Sequence, residues 1–184
     1  GPELAANGRA IVVGYGRFGQ VVAQMLHAVD CSVTLIDKKP AQIEISGSYD
    51  VKVYFGDGLR LDVLHHAGAE EAQIIAFCTD DRSMTAEQLA PIIHAFPKAR
   101  IFARAYDRRQ LIALHPADIA GVVREVYESA VAMGIATLHA LGVPDDEIAD
   151  AEHAARHLDD ARLTAQIETG DMHAGRDLRF VANG

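Results

Sequence analysis

Two rhythms of apolar and polar positions alternate along this chain. Short apolar runs at residues 9–13, 32–36, 51–55, 73–78 and 100–104 read as buried parallel strands. A weaker run at 118–123 predicts a sixth. Between them the period changes. Residues 17–29 carry Phe18, Val21, Val22, Met25, Leu26 and Val29 at helical spacing. Short helices are predicted from Pro40, over 60–67 and over 107–114, and a longer one capped at Thr79-Asp80-Asp81 and running to about Ala95. Strands alternating with helices predict an α/β fold, a doubly wound parallel sheet of Rossmann type spanning residues 9–124.

From Glu125 the pattern is purely helical. Residues 125–141 place Val126, Ala130, Met133, Thr137 and Ala140 on one stripe, and Tyr127, Val131, Gly134, Leu138 and Leu141 beside it. That face is wider than one packing surface requires. It predicts either a helix buried within the domain, or one with a stripe on the sheet and a stripe against a second copy. A polar-rich helix is expected over 144–163, so 125–165 forms a helical extension. Residues 1–8 are expected to be a linker or a cut remnant, and 166–184 a poorly ordered tail.

The first strand runs into Gly14-x-Gly16-x-x-Gly19, which opens a helix, and the second strand ends in Asp37. That context is what a dinucleotide needs: a tight turn, close backbone approach to phosphate, and tight helix–strand packing. Amides at the helix N-terminus hold the anion. Asp37 accepts from the hydroxyls of an adenosine ribose and disfavours a 2′-phosphate, an inference that Lys38-Lys39 weakens. Asp57, after the third strand, is either a ligand contact or a cap for the helix from Arg60. Asp80, after the fourth, reads first as a cap. Arg17 projects from the first helical turn, to bind an anion or a partner or to lie on the surface.

Charge narrows the partners. The net charge is −9, and Lys38-Lys39 and Arg108-Arg109 are only pairs, so nucleic acid is not expected as a ligand. Cys31 and Cys78 belong to no paired framework and read as reduced thiols. No apolar run reaches the roughly 18 residues of a membrane span. No catalytic set accompanies the glycine loop. His65-His66 sits on a short helix, and His153 and His157 lack a third ligand for zinc. No metal site is expected.

Together Gly14-Tyr15-Gly16-Arg17-Phe18-Gly19-Gln20, Leu35-Ile36-Asp37, Phe55-Gly56-Asp57-Gly58-Leu59-Arg60, Thr79-Asp80-Asp81, Ala103-Arg104-Ala105 and Arg124-Glu125 with Glu128 resemble the RCK domains, also called KTN or TrkA-N. The likeness is greatest to the cytosolic domain of Kef-type potassium/proton antiporters. It implies a regulator, not an enzyme: a homodimer joined to the transmembrane antiporter domain of the same protein, with room for an ancillary subunit, at the cytoplasmic face of the inner membrane. It implies AMP or NAD(H) as ligand, held by Gly14, Gly16, Phe18, Gly19, Asp37, Lys38, Gly56, Asp57, Gly58, Thr79 and Asp80. Arg17 would then lie near an effector and Arg104 near the nucleotide or the dimer seam.

Departures from the family's pattern bear on glutathione, which gates some members. Gly58-Leu59 loses a hydroxyl, His115 falls where an arginine is expected, and Asp159 falls near an asparagine position. An arginine lost and an acid gained disfavour an anionic tripeptide. Two alternatives remain. One is an NAD-dependent oxidoreductase lacking its substrate domain; the other is a freestanding subunit of a potassium-uptake system.

Overall fold

The computed structural model describes residues 8–39 and 51–175. The helix expected from Pro40, and residues 1–7 and 176–184 of the expected linker and tail, lie outside them. Six strands form one sheet: β1 (Arg9–Val13), β2 (Ser32–Asp37), β3 (Lys52–Phe55), β4 (Ile74–Phe77), β5 (Arg100–Ala105) and β6 (Gly121–Arg124). Their order is β3-β2-β1-β4-β5-β6, and every neighbouring pair is parallel. The α/β doubly wound reading therefore holds. Val12 pairs with Leu35 on one side and Ala76 on the other, which fixes the register at the centre.

The strands alternate their side chains between two cores. Ile11, Val13, Ile75, Phe77 and Ile101 face one side, where they meet Leu64 of α2 (Leu61–His66), Leu89 and Ile92 of α3 (Ala86–Ala95) and Leu114 of α4 (Arg108–Leu114). Val12, Val33, Leu35 and Ala76 face the other, under Ala23 of α1 (Arg17–Ala28). Of the apolar positions predicted on α1, Phe18, Val22 and Leu26 pack inward. Val21, Met25 and Val29 are exposed instead.

Two helix boundaries differ from the expected ones. α3 starts at Ala86, not after Thr79-Asp80-Asp81, because Thr85 forms a reciprocal capping box with Gln88. The intervening loop is held by Gln110, which is buried. Its amide donates to the Asp81 carbonyl at 2.8 Å and accepts from the Tyr106 amide at 2.7 Å. The last helix, α6 (Asp145–Thr169), runs six residues past the expected end at Leu163 and stops at Gly170, whose φ is +68°. Residues 166–169 are thus helical rather than part of a tail.

α5 (Glu125–Ala140) is not buried within the domain: none of its residues is buried. Tyr127, Val131 and Leu138 are half-covered, while Val126, Ala130, Met133, Thr137 and Ala140 face outward. α5 and α6 are tied to the sheet by charge. Arg124, at the end of β6, and Arg108, at the start of α4, both pair with Asp159 of α6. The Arg124 guanidinium also lies 3.8 Å from the Tyr127 ring centroid. Arg156 of α6 donates to both oxygens of Glu128 on α5 at 3.0 Å.

Candidate functional site

In an open parallel sheet, ligands bind beyond the carboxyl ends of the strands, where successive connections leave in opposite directions. Here that point lies between β1 and β4. A cleft of about 700 Å³ opens there. Its wall includes Gly14, Gly16, Arg17, Phe18, Asp37, Lys38, Gly56, Asp57, Gly58, Thr79, Asp80 and Arg104. Gly19 is not on the wall; it lies beneath the loop, and its role is packing. A β-carbon on Gly19 would come within 1.9 Å of the Gly14 carbonyl oxygen. Gly14 has φ +93°, and a β-carbon there would meet the Thr79 backbone nitrogen at 2.8 Å.

Gly16 is the N-cap of α1 and contributes no side chain to it. The first amides of that helix are therefore left for an anion. Asp37 is 7% exposed. Its Oδ2 accepts from the Tyr15 amide at 2.6 Å and its Oδ1 from the Lys39 amide at 2.8 Å. The carboxylate thus fixes the loop from behind. Each oxygen keeps a further lone pair for a sugar hydroxyl.

Asp57 caps no helix. Its Oδ1 accepts from the Leu59 amide at 3.0 Å, closing a turn, and α2 begins only at Leu61 after an N-cap of Arg60. Its Oδ2 lies 3.8 Å from Lys38 Nζ, so the two residues close one end of the cleft. Gly58 occupies its position for want of space: a β-carbon would reach within 2.2 Å of Val13 Cγ1. Asp80 also caps nothing and is exposed on the cleft wall. Asp81 is on the wall as well. Its hydrogen bonds from the Ser83 hydroxyl and amide hold its carboxyl below the usual range.

At the opposite end stands Arg104. Its Nε donates to Glu125 Oε2 at 2.8 Å, and its Nη1 donates to the Cys78 carbonyl at 3.2 Å. The guanidinium lies 4.7 Å from the Phe18 ring centroid. Cys78 is on the wall, but burial pushes its thiol up to about 12, so it carries no thiolate chemistry at neutral pH. In the sequence Glu125 stands out only as part of the Arg124-Glu125 motif. Its place in the cleft depends on β5 and β6 lying side by side, which no local spacing announces.

Away from the cleft, one expectation changes in substance. Asp159 adds no unbalanced negative charge, because Arg108 and Arg124 both pair with it. His115 is exposed after the end of α4. His153 and His157 are exposed on α6. Among the described residues, no helix is long and apolar enough to cross a membrane.

Residues 10–125 match the family model of the TrkA-N domain. The chain is 36% identical over 160 residues to a glutathione-regulated potassium-efflux system protein of Haemophilus influenzae, covering 87% of this chain and 26% of that protein. It therefore spans about a quarter of that relative's length. Among solved structures it is similar to the Kef C-terminal domain of Shewanella denitrificans in an AMP-bound form. The TM-score there is 0.75 and the identity 32%, over 88% of this chain and 99% of that one. It is also similar to GsuK bound to ADP, with TM-score 0.60 and 25% identity over 71% of this chain and 35% of that one.

Proposed function

The chain belongs to the TrkA-N domain family, and from that premise we propose that it is the nucleotide-binding regulatory part of a longer potassium-efflux antiporter. AMP or NAD(H) occupies the cleft, adenosine toward Asp37 and phosphate at the first turn of α1. The domain acts as a dimer at the cytoplasmic face of the membrane. Nucleotide shifts the dimer between two arrangements that the transmembrane part reads as open or closed. The observation that carries this reading is the cleft at the β1–β4 crossover, with a glycine loop on one wall and the Asp37 carboxylate behind it. The AMP-bound Kef relative supports it. So does the efflux relative, which is a transport protein and gives the dehydrogenase alternative no support.

The outward stripe of α5 supports the dimer. Met133 is 68% exposed and Val126 49%, on a helix with no buried residue. A ligand moves such an equilibrium only by its differential affinity for the two states. Calorimetric titration of the chain with AMP, NAD and NADH, alongside sedimentation, tests the reading. Micromolar binding of at least one, weakened ten-fold or more in Asp37→Ala, is expected of a dimeric species. A chain that binds none at millimolar concentration would be something else.

A further inference from the structure

Two cations of the cleft wall already face carboxylates before any ligand arrives. Arg104 is committed to Glu125, and Lys38 lies near Asp57. An anion that recruits either of them draws it away from its carboxylate. Of these two, Arg104 is the one beside the first turn of α1. Its guanidinium lies against the ring of Phe18, which belongs to the first turn of α1 where the anion binds. The Arg104 side chain is only 14% exposed, so its interactions are little screened by water.

Glu125 is the first residue of α5. α5 buries no residue of its own. Among the described residues its polar ties include Glu125 to Arg104, Glu128 to Arg156 and His139 to Asp145 of α6, with the half-buried Tyr127 beneath Arg124. Losing one of these ties matters more than losing one contact of a buried helix.

We infer that Arg104 couples occupancy of the cleft to α5, exchanging the Glu125 carboxylate for the phosphate of the bound nucleotide. The nucleotide is the one assigned in the proposed function, and the inference rests on that reading. A phosphate presents more acceptor oxygens to a guanidinium fork than the single Glu125 oxygen engaged here. Once released, Glu125 faces the bound anion without its counter-charge and moves away, loosening the first turns of α5. The coupling is reciprocal: whatever pulls Glu125 from Arg104 strengthens nucleotide binding by the same factor.

Hydrogen exchange across α5, with AMP as the probe, tests this on the chain as it stands. AMP is expected to speed exchange of the amides after the first turn of α5 by at least about 5-fold, the lower end of typical allosteric couplings. In Glu125→Gln those amides exchange fast without AMP, AMP changes them no further, and AMP binds roughly 10-fold tighter. Arg104→Lys, which keeps the charge but not the fork, binds AMP more weakly, and adding Glu125→Gln to it restores little. If AMP binds the native chain while α5 exchange stays the same, or if Glu125→Gln binds AMP no tighter, the coupling is wrong and the nucleotide site stands. If neither AMP nor NADH binds the native chain at all, the functional reading fails and takes the coupling with it.

Discussion

Phe77 of β4 and Met133 of α5 are both large apolar side chains on regular elements, yet Phe77 is 1% exposed and Met133 is 68% exposed. Phe77 shares one buried core with Met84, Leu89 and Ile101. α5 and α6 offer Met133 nothing comparable. Their three buried residues, Ile148, Asp159 and Gln166, are all on α6, and two of those are polar. One region is held by apolar burial, which is indifferent to direction and largely to salt. The other is held by ion pairs, which depend on geometry, protonation and partners. A nucleotide in the cleft meets both, because Arg104 on β5 reaches Glu125 on α5.

The contrast can be broken first at the core. Phe77→Ala should lower the stability of the whole domain by about 3–5 kcal/mol, seen as one cooperative transition at lower denaturant. Next comes Asp159→Ala, which leaves Arg124 buried without its counter-charge. Here the loss should be about 3 kcal/mol, the low end for such pairs because Arg108 is partly exposed. It should be local, with α6 amides exchanging before those of β1 and β4. A melt in which sheet and extension still unfold together would show that they share one cooperative unit.

Acid should act in the same sense, more weakly. The Arg156 guanidinium holds the Glu128 carboxyl below the usual carboxylate range. A depressed folded value means the pair stabilises above the unfolded value of about 4.3 and is lost as pH falls through the folded one. Both partners are more than a third exposed, so the loss should not exceed about 1 kcal/mol. Comparing α5 and α6 exchange at pH 7 and near pH 3.5 reads it, and Glu128→Gln should flatten the difference. Smallest in the isolated protomer is Met133→Asp, expected to change stability by less than about 0.5 kcal/mol. In sedimentation, however, it should abolish the proposed dimer; an unchanged association state would remove α5 as the contact.

The same division explains what could be read from the chain. The strands were legible because parallel strands buried on both faces are unbroken apolar runs, as at Ile11-Val12-Val13. Most of the cleft was legible too, because its residues follow strand ends directly. The start of α3 was missed because Thr79-Asp80-Asp81 and Thr85 offer similar capping chemistry, and only Gln88 three residues on distinguishes them. The end of α6 was missed because its inward positions, Asp159 and Gln166, are polar and carry no apolar period. The use of Asp159 could not be read at all. Arg108 and Arg124 reach it from 51 and 35 residues away in sequence.

The hydrogen bond from Tyr15 to Asp37 has a kinetic side. A loop fastened from behind needs no search for its binding shape, so a nucleotide should meet a ready seat at an ordinary association rate. Differences in affinity among nucleotides should then appear as residence times, and the duration of each visit, more than its frequency, would be what the attached helices register.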